Sequence, residues 1–255
     1  MQGCWKAAEV AGHPVEIYEP PRINPGKALI YLHPARPELL HGREAFTRMF
    51  DELDLLCVCP HGGPSWWADK LCPDFDDRFT AEGWIVEHVA PWLQEQLGTG
   101  SRRAELVRVP VPRLGLLGVS VGGQAALRMA FKHPRLFPAV AALAPTIELH
   151  QFHGCGTVLD TLYESREQCR QDAAPMHIRP DEYPSHIFFA VDPEDATWYR
   201  GVDRLREKLT ALGISHACDL TTRAGGHRWE YFEHMAERAI RFLDEGLATT
   251  TRRLL

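Results

Sequence analysis

Short apolar runs alternate with helical periods along most of this chain, and that alternation constrains its fold more than any other feature. The runs are Val15-Glu16-Ile17-Tyr18, ALIYLH at 28–33, LLCVCP at 55–60, LGLLGV at 114–119, AVAALA at 139–144, HIFFAV at 186–191 and HACDLTT at 216–222. Between them lie REAFTRMFDEL, FTAEGWIVEHVAPWLQEQL, GQAALRMAFKH, VDRLREKLTAL and HRWEYFEHMAERAIRFLDEGL, each with apolar residues at helical spacing. Strands that are apolar at every position must be buried on both faces, and crossover helices provide the cover. The class is therefore α/β with a mostly parallel sheet flanked by helices. The rhythm breaks once, at 145–182, where more chain separates two strands than a crossover needs. We expect a short insertion there, packed over the site. No repeat, low-complexity tract or linker-like stretch divides residues 1–255, which we read as one domain.

Composition removes other classes. With 45% hydrophobic and 24% charged residues the chain can build a core and is unlike a disordered sequence. Its formal net charge of −6 gives a phosphate backbone no grip, so no nucleic-acid partner is expected. Arg102-Arg103 and Arg252-Arg253 read as solvated surface. No apolar run has the length of a signal peptide or a membrane span. The odd count of 7 cysteines suits free thiols, so a cytoplasmic protein with no membrane partner is expected, with self-association left open.

Gly118-Val119-Ser120-Val121-Gly122 fits a G-x-S-x-G elbow, with a buried strand before it and a helix after it. A turn this tight leaves no room for bulk two residues either side of the serine. The spacing matches neither a dinucleotide fingerprint nor a Walker loop. A serine hydroxyl needs a base, and the base needs a carboxylate to fix its tautomer, in the chain order Ser, Asp or Glu, His. His227, in the Gly225-Gly226-His227 loop between the last strand and the last helix, is placed to be the base. Asp192, Glu194 and Asp195 compete for the acid after HIFFAV. We take Asp195, the last carboxylate before the next helix, with Asp192 as the alternative. Trp66 and Trp67 follow a Gly-Gly-Pro turn and are candidates for lining a substrate pocket.

These residues resemble the Putative esterase family of α/β-hydrolases, the group of esterase D, the S-formylglutathione hydrolases and the bacterial mycolyltransferases. HGGPSWWADK at 61–70, TAEGWIVEHVAPWL at 80–93, GVSVGGQAAL at the elbow and GGHRWEYF near the C-terminus carry the resemblance, in the family's order. It implies the α/β-hydrolase fold, no cofactor, and a serine carboxylesterase acting on a small ester or thioester through acyl-Ser120. It also supports Asp195, through a turn in which Asp192 stands where the family usually has Gly. The family's oxyanion donors fall on the backbone N–H groups of Val121 and Ala35. The second lies in Leu32-His33-Pro34-Ala35, where the family usually reads L-H-G. Proline offers no N–H, so Pro34 alters this loop.

Other readings of the same residues stay open. The elbow could serve an acyltransferase or a peptidase, and the fold could persist in a catalytically silent binding protein. His150, His153 and Cys155 lack a second ligand pair at zinc-site spacing, so no metal is expected. Cys169 reads as structural.

Overall fold

The computed structural model describes residues 2–24, 26–99 and 113–252; Arg102, Arg103 and Arg253 lie outside them. β1 (Cys4–Val10) and β2 (His13–Glu19) form a hairpin, and β3 (Lys27–Leu32) and β4 (Leu56–Pro60) flank α1 (Glu44–Glu52). α2 (Ala81–Gly83) runs through π-helical turns at Trp84–Val89 into α3 (Ala90–Thr99). β5 (Arg113–Val119), α4 (Val121–Lys132) and β6 (Ala139–Leu143) follow. After an insertion holding α5 (Leu159–Leu162) and α6 (Arg166–Gln171) come β7 (His186–Ala190), α7 (Tyr199–Ala211), β8 (Ala217–Asp219) and α8 (Trp229–Arg252). Among the described residues eight strands make one sheet, in the order β1-β2-β4-β3-β5-β6-β7-β8. From β4 to β8 every pairing is parallel, whereas β2 runs antiparallel to both β1 and β4.

Each strand found by its apolar run is present, and β3 to β7 are buried almost throughout, as continuous apolar sequences require. The strand missing from the sequence reading is β1. Only Val10 of its residues is buried, because it is an edge strand whose partner covers one side only, so CWKAAEV carries no apolar signature.

Sheet order fixes where a site can form. The chain leaves β3 toward β4, then returns across β3 to enter β5 and continues outward to β8. Loops after β3 and β5 therefore diverge in opposite directions and open a crevice at the carboxyl ends of these strands. Ser120 stands at the end of β5, facing that crevice.

The helix expected over 79–97 begins at Ala81, capped by Thr80, whose side chain accepts from the Gly83 N–H. Its π-helical part ends two residues before Pro91, with the Ala90 N–H bonded to the Ile85 carbonyl. Proline cannot donate and crowds the carbonyl four residues back, and the wider π turns just before it take up that mismatch.

The insertion packs against α4. The Ala174 N–H donates to Gln124 Oε1 at 3.0 Å, and Arg128, in the interior, ties three segments to α4. Its Nε bonds Glu82 at 2.7 Å, its Nη1 bonds Asp172 at 3.1 Å, and its Nη2 donates to the Trp67 carbonyl. Burial works to push the Glu82 carboxyl up, but Arg128, His133 and Lys132 hold it well below its usual range. Among the described residues no helix is long and apolar enough to cross a membrane.

Candidate active site

Ser120 has φ 56°, ψ −119°, a backbone conformation few non-glycine residues adopt. The elbow is closed on both sides. A Cβ on Gly118 would sit 2.1 Å from the Gly122 carbonyl oxygen, and one on Gly122 would sit 2.0 Å from the Leu32 carbonyl oxygen. Glycine at both positions thus lets α4 start directly against the end of β3 while Ser120 is pushed out of the strand. The Ser120 N–H is bonded to the Leu143 carbonyl and the Ser120 carbonyl accepts from Thr146, so the turn is held on β6.

His227 comes to the serine from the loop between β8 and α8. Its Nε2 lies 2.8 Å from Ser120 Oγ and its Nδ1 2.7 Å from Asp195 Oδ2. The other oxygen of Asp195 accepts from the Trp198 N–H at 3.1 Å. With the Nδ1–H donating to Asp195, Nε2 is the free acceptor that faces the hydroxyl. Ser120, His227 and Asp195 therefore form one hydrogen-bonded chain, 107 residues separating the first two in sequence.

Asp192 lies in the same turn and does something else. It is fully buried, and its carboxylate accepts from the backbone N–H groups of Glu194 at 2.8 Å, Ala224 at 2.6 Å and Gly226 at 2.9 Å. Burial tends to raise its pKa, but these three donors hold it below its ordinary value. Asp192 thus joins the acid turn to the histidine loop through backbone groups.

The loop after β3 is braced despite Pro34. His33 Nδ1–H donates to the Pro34 carbonyl at 2.6 Å, and its Nε2 accepts from the Gly62 N–H at 3.1 Å. The two bonds require a neutral ring, and burial pushes the His33 pKa down to about 4. Trp67 Nε1–H donates to the His33 carbonyl at 2.9 Å. Neither the Val121 nor the Ala35 N–H donates to a backbone acceptor in the turns and loops of the described residues, and Ala35 is half-buried.

The two tryptophans separate. Trp67 is fully buried, so it has no face to offer a ligand, and the pocket role expected of it is corrected to bracing the loop. Both sit at positive φ, 49° for Trp66 and 59° for Trp67, a conformation held by Ser65 Oγ accepting from the Trp67 N–H and by Arg128 on the Trp67 carbonyl. Trp66 remains half-buried, edge-on to Phe152 of the insertion. Phe152 stacks on Trp198 at 5.2 Å, and Trp198 lies 6.3 Å from the His227 ring. This aromatic wall was not found from sequence, because Phe152 ends a 3₁₀ turn too short to show periodicity and Trp198 lies in the loop before α7. His61 faces Glu16 across β2 and β4 at 3.7 Å. Cys169 is buried, and burial pushes its thiol up to about 12, which makes it unreactive.

The family model described as "Putative esterase" matches residues 81–242, more than half of the chain and a span that includes Ser120, Asp195 and His227. The chain belongs to the Putative esterase family. This esterase is an enzyme with ester hydrolase activity, of the carboxylesterase type. No curated protein is matched by sequence. Among solved structures, a ferulic acid esterase is similar at TM-score 0.71 and 15% identity, covering 96% of this chain and 100% of that one. An S-formylglutathione hydrolase from Agrobacterium tumefaciens gives 0.70 and 17%, covering 96% and 94%. The fluorophosphonate-binding serine hydrolase F of Staphylococcus aureus gives 0.68 and 14%, covering 96% and 99%. At these identities the likeness establishes the α/β-hydrolase fold of this esterase.

Proposed function

We propose that this esterase cleaves a small carboxylic ester or thioester through a covalent acyl-Ser120 intermediate. The observation that carries the reading is the continuous chain from Ser120 Oγ through His227 to Asp195, at 2.8 and 2.7 Å. His227 Nε2 takes the hydroxyl proton as Oγ bonds to the substrate carbonyl carbon. The carbonyl π pair moves to oxygen, and the N–H groups of Val121 and Ala35 stabilise that oxyanion. The imidazolium then gives its proton to the departing alcohol or thiol as the tetrahedral intermediate collapses. Water, deprotonated by the same nitrogen, attacks the acyl carbonyl and releases the acid with Ser120 restored. Asp195 keeps the Nδ1–H oriented and stabilises the positive ring, without itself taking the proton. Asp192 is a positioning residue, holding the loop that carries His227. Trp66, with Phe152 and Trp198, lines one side of the acyl or alcohol pocket.

A panel of p-nitrophenyl esters of graded acyl length, with one thioester, tests this directly. Turnover of at least one short-chain member is expected, with a loss of roughly 10⁴-fold or more in Ser120→Ala. No turnover of any member by folded enzyme, or equal turnover by Ser120→Ala, would overturn the reading.

A further inference from the structure

Between the insertion and α7 lies a cleft of about 330 Å³ that contains neither Ser120 nor His227. Its volume falls within the range of small-ligand sites, roughly 300–1,000 Å³. Ile147, Ala173 and Leu205 give it an apolar floor, and Arg170, Arg204 and Lys208 stand around it with Glu148 as the one carboxylate of the lining. Arg204 is paired with Glu148 at 3.2 Å, and Arg170 with Glu167, outside the lining, at 2.7 Å. Lys208 is different: its Nζ donates to the neutral carbonyl of Pro175 at 2.5 Å, so its charge is not matched by a carboxylate there. His150 also lines the cleft, and its Nδ1 is buried with no hydrogen-bond partner among the described residues. An apolar floor, an unmatched ammonium and an unengaged ring nitrogen are complementary to one chemical class, a carboxylate with a short apolar chain.

We propose that this cleft is a second ligand site, which takes an amphipathic carboxylate with its chain over Ile147, Ala173 and Leu205 and its head group at Lys208 and His150. The class is that of the acid released by ester cleavage, and in naming it as a product the inference rests on the proposed function. The cleft is separate from the reacting serine but shares its surroundings. His150 and Phe152 belong to the same 3₁₀ turn, Leu149–Phe152, and Trp198, on which Phe152 stacks, immediately precedes α7.

Titration calorimetry with octanoate on the unreacted full chain tests the site without requiring turnover, so failure of the hydrolase reading and failure of this one are distinguishable. Saturable one-to-one binding with a Kd of about 1 mM or tighter is expected. It should weaken about fivefold in Lys208→Met, persist in Lys208→Arg, and be unchanged in Trp66→Ala, which alters the wall of the catalytic crevice. Lys208 is exposed, so its variants keep the fold. Absence of saturation, equal affinity in Lys208→Met, or loss of binding in Trp66→Ala would overturn the assignment.

Discussion

At the residue scale, two aspartates three positions apart have different partners, and that difference is open to measurement. Asp195 meets the imidazole, whereas Asp192 meets three backbone N–H groups. Asp195→Asn should lower kcat by roughly 10³- to 10⁴-fold, because an amide facing Nδ1 favours the wrong tautomer. Asp192→Asn keeps Asp195 in place but turns an NH₂ toward buried donors, so about 1–3 kcal/mol of stability is lost with a much smaller fall in kcat. Steady-state rates and urea unfolding of the two variants check this, and equal kcat losses would contradict it. Sequence put Ser120 and His227 within reach because each lies in a glycine-bounded turn at a strand end. It left Asp192 and Asp195 as competitors, since a carboxylate that binds an imidazole and one that binds amides look alike in one dimension.

Elements bring these residues together, and the loops between them were the least legible part. β3 to β7 were readable because burial on both faces leaves unbroken apolar runs; edge strand β1 had no such run. Pro34 removes one N–H from the loop after β3, but the loop's support comes from elsewhere in the chain: Gly62 on His33 and the Trp67 indole on the His33 carbonyl. Nothing in the residues 33–36 announces those partners. Trp67→Phe keeps most of the buried ring and removes the indole N–H. We expect it to lower kcat about tenfold with little change in KM, because the loop it steadies carries Ala35, whose N–H the proposed mechanism directs at the oxyanion rather than at the bound ester. Steady-state kinetics on the best substrate of the panel check the split, and an effect confined to KM would count against the loop's assigned part.

For the whole molecule, the sheet order places the elbow at the crevice between β3 and β5, and the insertion is fastened to it through buried charge. Glu82 is held below its usual pKa by Arg128, His133 and Lys132 against the effect of burial, and Asp219 is held at about 2 by Thr221 and Thr222 donors against the same effect. Carboxyls depressed in the native state bind fewer protons there than in the unfolded chain. Their stabilisation is complete above the ordinary carboxylate range, about pH 4, and is lost as pH falls through it. The urea midpoint should therefore be flat with respect to these groups above about pH 5 and decline steadily below it, and a midpoint unchanged down to pH 3 would contradict the buried-charge account. The family model marks an esterase and the fold is that of the α/β-hydrolases, and in the mechanism proposed above Ser120 is the nucleophile. Intact-protein mass spectrometry after exposure to a fluorophosphonate measures that most directly. One adduct per chain is predicted, on the peptide containing Ser120, absent in Ser120→Ala and slowed by orders of magnitude in His227→Ala; no adduct on folded protein, or an adduct retained by Ser120→Ala, would contradict it.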